Sequence, residues 1–350
     1  MSRPSVLITR VVPDAVRERL ASSCAIDLYT GAVAIPRDEL KARLAGKQAL
    51  MCLLTDRIDA DVLDAAPGLR IVANIAVGFD NIDLAAARHR GIIVTNTPDV
   101  LTEATADLTW GLILAVMRRI PEGERLLRRG EWKGWALDFL LGSDLRGKQL
   151  GIVGFGRIGR AVAARAGVFG MHVVYTTLDA DAPESESESE CVRSRDDTSP
   201  KAAEKSSVVP DEASQRWRMS RVAFDDLLAT SDVISLHVPL TPETHHLMNR
   251  RTLADMKRSA CLINTSRGPV VDEEALAWAL RDGVIAGAGL DVYEREPVVH
   301  AALLALDNVV LAPHIGSATI ETRTAMADLA ARNVMAVLAG QPPLTPIDLG

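Results

Sequence analysis

GIVGFGRIG, residues 151–159, reads as an apolar strand running into a glycine turn and then a helix. Gly154, Gly156 and Gly159 have the spacing G-x-G-x-x-G, with the strand pattern QLGIVG before them and the helical pattern RIGRAVAARAGVFG after. The spacing alone is weak evidence, because glycines gather in many turns. In strand–turn–helix order it describes a cradle for a pyrophosphate. Gly154 permits the tight turn, Gly156 lets a phosphate approach the backbone, and Gly159 allows helix and strand to pack closely. The helix start contributes amide donors and positive potential. The ligand this predicts is a dinucleotide. The stretch begins only after 150 residues, so a further unit must precede it.

On both sides of the cradle, short β-rich runs alternate with helical patterns. SVLIT, AIDLY, ALMCLLT, RIVANIA and GIIVTN come before it; HVVYT, DVISLHVP, ACLINT, GAGLDVY and NVVLAP follow. Alternation of this kind predicts parallel sheets with crossover helices, and two series predict two α/β units. A chain of 350 residues with 48% hydrophobic and 24% charged residues has material for two cores. The pattern TEATADLTWGLILAVMRR predicts a helix over 102–119. Met326, Leu329, Ala330, Val334 and Val337 share one face of a C-terminal helix. Residues 131–142 concentrate Trp132, Trp135 and Phe139 in a chain with 4% aromatics; they either plug a core edge or form an arm against a second subunit. Residues 179–221 contain ESESESE and almost no apolar spacing, which predicts a loosely held surface insertion.

The net charge of −7 and the lack of a dense basic block argue against a nucleic-acid surface. MSRPSVLITR does not read as a secretory leader, and the longest apolar stretch, near 108–117, is too short to span a bilayer. Cys24, Cys52, Cys191 and Cys261 have no paired spacing, so reduced thiols in a cytoplasmic protein without a metal site are expected. Where the strand HVVYTT ends, an NAD-binding unit places an acidic residue on the ribose hydroxyls. Thr177 stands there instead. Both dinucleotides stay open: the missing carboxylate tips the reading slightly toward NADP, and the acidic insertion after Leu178 pulls toward NAD.

Further motifs recur in order along the chain: AVGFDNID (76–83), NTPDVLTEATADLTWGLIL (96–114), SLHVPLTPETHHLM (235–248), LINTSRGPVVDEEAL (262–276), GAGLDVYEREP (287–297) and LAPHIGSAT (311–319). With the cradle they resemble the D-isomer-specific 2-hydroxyacid dehydrogenases, and most nearly the glyoxylate/hydroxypyruvate reductase branch. The resemblance covers nearly everything outside 179–221. It implies an α/β protein of two Rossmann-like parallel-sheet domains. One is a discontinuous, flavodoxin-like substrate domain at 1–100 and 294–350; the other is a dinucleotide-binding domain inserted at 101–293, with the active site in the cleft. A homodimer and a small 2-oxo or 2-hydroxy acid as substrate come with the resemblance.

Three residues match the catalytic set of that family, and each makes chemical sense. Arg267 follows the strand ACLINT, so it sits at a carboxyl end facing the crevice. Its guanidinium can grip the carboxylate of a 2-oxo acid bidentately. His314, in PHIGSAT, would give the proton that a reduced carbonyl oxygen needs. Among seven histidines, composition alone leaves His237 and His245 as rivals; the motif match selects His314. Glu296, held before Pro297, would orient the imidazole and favour its charged form. The resemblance also implies that Val77 and Gly78 offer amides to the substrate carboxylate and that Ser317 touches substrate. It places Thr105, Arg157, Ile158, Pro239 and Thr265 along the cofactor, with Asp291 accepting from the nicotinamide carboxamide.

Related chemistries read less well. Formate dehydrogenases of the superfamily have Gln where Glu296 stands, and phosphite dehydrogenases have Lys where Val77 stands. The 3-phosphoglycerate dehydrogenases share the core but many carry a regulatory domain beyond it, whereas this sequence stops at Gly350 soon after its last helical pattern. The C-terminal-binding corepressors keep an Arg–Glu–His set on a dinucleotide-sensing scaffold, so the trio alone does not separate them from an enzyme.

Overall fold

A computed structural model describes residues 3–177 and 219–349. The strands are β1 Ser5–Ile8, β2 Ala25–Leu28, β3 Ala49–Cys52, β4 Ile71–Asn74, β5 Ile93–Thr95, β6 Gln149–Val153, β7 His172–Thr176, β8 Met219–Arg221, β9 Val233–Leu236, β10 Cys261–Asn264, β11 Gly287–Leu290 and β12 Val309–Leu311. The helices are α1 Asp14–Ala21, α2 Arg37–Leu44, α3 Ala60–Asp64, α4 Leu84–His89, α5 Thr102–Met117, α6 Ile120–Arg128, α7 Arg157–Ala166, α8 Phe224–Thr230, α9 Arg250–Ala254, α10 Glu273–Arg281, α11 Ala301–Leu304 and α12 Ile320–Leu338. They form two compact units, Met1–Ala104 with Ser317–Gly350, and Thr105–Gly316. Among the described residues no helix is long and apolar enough to cross a membrane.

The first unit has a five-stranded parallel sheet in the order β2-β1-β3-β4-β5, the flavodoxin-like winding. Every residue of β3 and β4 is buried, which is why ALMC and IVAN show no alternation: both faces are covered. One face takes α12, whose Ala327, Ala330, Ala331, Val334 and Val337 pack with Val6, Ile8, Met51 and Ile71. Leu50, Cys52 and Val72 face the other way, toward residues of α2, α3 and α4.

The second unit has a seven-stranded parallel sheet in the order β12-β11-β10-β9-β6-β7-β8. From β6 the chain steps outward to β7 and β8, then returns to the far side of β6 at β9 and steps the other way. The winding therefore reverses at the carboxyl end of β6, the place where open α/β sheets bind ligands. The glycine turn 154–159 lies at that end. Trp110 of α5 fixes one face, stacking on Phe169 at 4.3 Å and donating from Nε1 to the Val162 carbonyl of α7 at 3.0 Å.

Several sequence expectations need correction. Residues 294–316 belong to the second unit rather than the first, because β12 pairs in parallel with β11 (Ala288↔Val309 to Leu290↔Leu311). NVVLAP reads as a strand, but its sequence does not say which sheet it joins. Met219–Arg221, assigned to the loose insertion, forms edge strand β8 against β7; with three residues and two exposed side chains it has no apolar signature. The rest of that insertion lies outside the described residues, as does Cys191; Cys24, Cys52 and Cys261 are buried free thiols. The helix over 102–119 stops at Met117, since Arg119 takes a left-handed φ of 52° and starts α6, with Pro121 in its first turn. The aromatics of 131–142 plug no core: Trp132 is 54% and Trp135 81% exposed.

The C-terminal tail is stitched to α12 by one buried amide. Asn333 Oδ1 accepts from the backbone of Leu344 and Thr345, and its Nδ2 donates to Thr345 Oγ1 and the Leu329 carbonyl. Thr345 in turn donates to the Asn96 carbonyl at 2.6 Å. Asn333→Leu keeps the volume and deletes the amide, leaving backbone donors without their acceptor. Urea unfolding should show a loss of about 1–3 kcal/mol.

Candidate active site

Arg267, Asp291 and His314 follow three adjacent parallel strands, β10, β11 and β12, so their loops leave from one edge of the sheet. That edge is where side chains from distant sequence can meet a ligand. His314 Nδ1 lies 2.7 Å from Glu296 Oε2. If Nδ1 carries the proton in this contact, it donates to the carboxylate and Nε2 is the ring nitrogen left for a reactant. The side chains of His314 and Glu296 are 27% and 28% exposed.

Three groups hold this pair. His314 has φ 53°, a left-handed backbone that costs a non-glycine residue about 1–3 kcal/mol unless its surroundings impose it. Asp291 imposes it: Oδ1 accepts from the Ile315 amide and Oδ2 from the Gly316 amide, each at 2.7 Å. Burial pushes the Asp291 carboxyl up from its usual range, and the two amides work against that shift. Tyr293 is the second brace. Its amide donates to Glu296 Oε1 at 3.1 Å, and its hydroxyl donates to the Ala312 carbonyl at 2.9 Å, two residues before His314. Burial pushes the Tyr293 phenol up to about 12, so it stays a donor. The third brace is Glu273, whose Oε1 accepts from the Glu294 amide at 2.8 Å.

Arg267 reaches the same neighbourhood through its backbone. A Cβ at the next residue, Gly268, would run into the Tyr293 carbonyl group, so the Arg267 turn lies directly on the segment that carries Glu296. The Arg267 guanidinium donates to the Ser266 carbonyl at 2.8 Å, and its own carbonyl accepts from Asn264 Nδ2. The rival histidines make other contacts. Burial pushes His237 down to about 3, although the residue as a whole keeps some surface, and its Nε2 meets Ser235 Oγ at 2.8 Å. A ring that stays neutral there is no proton donor near neutral pH. His245 is exposed and stacks on His246, which pairs with Glu294 at 2.9 Å.

The glycine turn has the shape a dinucleotide requires. Gly154 sits at φ 93°, its amide donates to the Thr176 carbonyl, and a Cβ there would come 2.6 Å from the His237 carbonyl oxygen. Gly159 packs on the Gly154 carbonyl and Ile152. Gly156 caps α7 with no side-chain acceptor on its first-turn amides, and the space beside it is open. Backbone donors at a helix start facing open space fit a phosphate. Arg157 is exposed at the first position of α7, and Ile158 packs on the core. Thr105 and Thr265 are buried and joined through Thr109, which donates to the Thr105 carbonyl and lies 2.9 Å from Thr265 Oγ1. The Pro239 carbonyl accepts from Thr244 Oγ1. Thr177 accepts from Arg221 Nη2 at 2.9 Å.

Val77, Gly78 and Ser317 belong to the first unit. There Asn96 Nδ2 donates to the Val77 carbonyl at 2.8 Å and Asn74 Nδ2 to the Gly78 carbonyl at 2.9 Å, which fixes how that turn presents its amides. Asn74, Asn96, Tyr293 and the loop-holding role of Asp291 were missed from sequence. Only the position of Asn74 at the end of an apolar strand hinted at a polar task.

A family model described as D-isomer specific 2-hydroxyacid dehydrogenase, NAD binding domain, matches residues 110–210 and 201–316. The glyoxylate reductase of Thermofilum pendens is 46% identical over 346 residues, covering 98% of this chain and 94% of that protein. The chain belongs to the D-isomer specific 2-hydroxyacid dehydrogenase family. It is an oxidoreductase, and its second unit carries the family's nicotinamide-dinucleotide-binding domain. The glyoxylate reductase of Thermococcus kodakarensis is 47% identical, covering 98% of this chain and 96% of its own. Among solved structures, the TT0316 protein of Thermus thermophilus matches with TM-score 0.84 and 46% identity, over 98% of this chain and all of that one. The NADPH-dependent glyoxylate/hydroxypyruvate reductase of Sinorhizobium meliloti, solved with NADP and malonate, matches with TM-score 0.80 and 34% identity over 99% and 98%.

For this dehydrogenase, Glu296→Gln keeps the shape of the His314 partner and removes its charge. Steady-state kinetics on a 2-oxo acid should show kcat reduced by about 10²-fold with KM little changed.

Proposed function

We propose that this chain reduces a small 2-oxo acid, glyoxylate first and hydroxypyruvate second, to the 2-hydroxy acid, of D configuration where the product is chiral. The observation that carries the reading is the 2.7 Å contact of His314 with Glu296 on the sheet edge that also bears the Arg267 turn. Arg267 binds the substrate carboxylate through its planar fork and so orients C2. Val77, Gly78 and Ser317 keep their expected roles as substrate contacts. The hydride to C2 is the chemistry that a bound nicotinamide dinucleotide would supply. His314 Nε2 gives its proton to the carbonyl oxygen as charge builds there, and Glu296 holds Nδ1 so that the ring does not turn. The neutral imidazole left after the step regains a proton from solvent.

Gly154, Gly156, Arg157, Ile158 and Gly159 hold the pyrophosphate side of the dinucleotide, with Thr105, Pro239 and Thr265 along its length. Each Asp291 oxygen accepts one amide and has a second lone pair, enough for the nicotinamide carboxamide. NADP is the preferred dinucleotide, because Thr177 sets no carboxylate against a 2′-phosphate. The similarity to glyoxylate reductases over nearly the full chain supports the choice of substrate.

Purified protein with glyoxylate and NADPH should consume nicotinamide absorbance; no turnover on a panel of small 2-oxo acids would defeat the proposal. Arg267→Ala should lower kcat/KM for glyoxylate by about 10²-fold, mostly through KM, and Arg267→Lys should restore little of it. The exposed apolar side chains Trp132, Trp135, Leu137 and Leu141 support a homodimer built through the 131–142 arm. Light scattering should find a dimer, with Trp135→Ser shifting the equilibrium toward monomer at micromolar concentration.

A further inference from the structure

Strands β6, β7 and β8 lie side by side and parallel, so their carboxyl ends share one edge with the glycine turn. Thr176, the last residue of β7, accepts the Gly154 amide, and the next residue is Thr177. The register of β7 and β8 sets Arg221 opposite Tyr175, and from there its Nη2 donates to Thr177 Oγ1 at 2.9 Å. Arg221 is exposed. A guanidinium rooted on β8, two strand spacings of about 4.8 Å from the strand that bears the cradle, thus reaches the end of the second strand of the dinucleotide unit. This is where such units recognise the adenosine ribose.

We propose that Arg221 is the residue through which this chain reads the 2′-phosphate of NADP. The cation comes from a neighbouring strand rather than from the residues just after β7. A guanidinium is charged at every working pH and its fork matches two phosphate oxygens. The Thr177 hydroxyl, which accepts from Arg221, orients the fork and adds no negative charge. A carboxylate in the place of Thr177 would instead pair with Arg221 and repel the phosphate. The inference rests on the dehydrogenase reading given above and adds to it the residue that decides between the two dinucleotides.

Calorimetry on the full chain, titrating NADP and NAD separately, tests it without turnover. Arg221→Ala should weaken NADP about 10- to 100-fold and leave NAD within about twofold, the size expected for a lost charge-assisted contact. Arg221→Lys should recover part of the NADP affinity, since it keeps the charge and loses the fork. Titration with 2′,5′-ADP and 5′-AMP should repeat the split on the adenosine half alone. An equal change for both dinucleotides, or none, overturns the assignment to Arg221. A wild-type protein that binds dinucleotide but reduces no 2-oxo acid overturns the catalytic reading, while the NADP-to-NAD ratio still judges Arg221. A wild-type protein that binds neither dinucleotide overturns both.

Discussion

Asp291 lies at the end of β11 with 1% of its surface exposed, where a carboxylate is costly unless hydrogen bonds surround it. It is held by the amides of Ile315 and Gly316, and those two bonds force the chain after β12 through a left-handed residue. That residue is His314. The His314–Glu296 contact therefore depends on a buried carboxyl group that holds the turn rather than the ring. Take away the Asp291 acceptors and the turn has no reason to hold a histidine at positive φ; the ring would then leave Glu296.

The rest of the site follows from the parallel sheet around this turn. Parallel strands with crossover connections bring every loop that follows a strand to the same edge. Arg267, Asp291 and His314 arrive there from β10, β11 and β12, and the phosphate cradle arrives from β6. Tyr293 links two of these loops, bonding Glu296 with its amide and the Ala312 carbonyl with its hydroxyl. In the first unit the same logic places Asn74, at the end of β4, under the Val77–Gly78 turn. Side chains set back from the loop tips thus fix the direction of the loops themselves.

Much of this was legible in the sequence. The apolar runs named the strands, and the cradle was readable because its three glycines act within a single turn, where spacing and geometry are almost the same thing. His314 was singled out only through its surrounding motif, since a lone histidine has no local signature; its contact with Glu296 is a tertiary property. The border at 294 was misplaced by more than twenty residues, counted to Ser317, because a three-residue strand does not announce which sheet receives it. The aromatic stretch 131–142 looked equally suited to a core edge or an exposed arm, and the fold left Trp135 outside.

What the sequence by itself determined is whatever depends on neighbours along the chain: strand and helix periods, the glycine turn, helix ends, and the residue types suited to hydride and proton chemistry. The tertiary structure alone decided which carbonyls Asn74 and Asn96 hold, that Asp291 grips the His314 turn, and that Arg221 stands beside Thr177 across a gap of more than forty positions. The reason is physical. Periodicity records how a segment repeats against itself, whereas a contact between two strand ends exists only once the order and register of the sheet have been chosen.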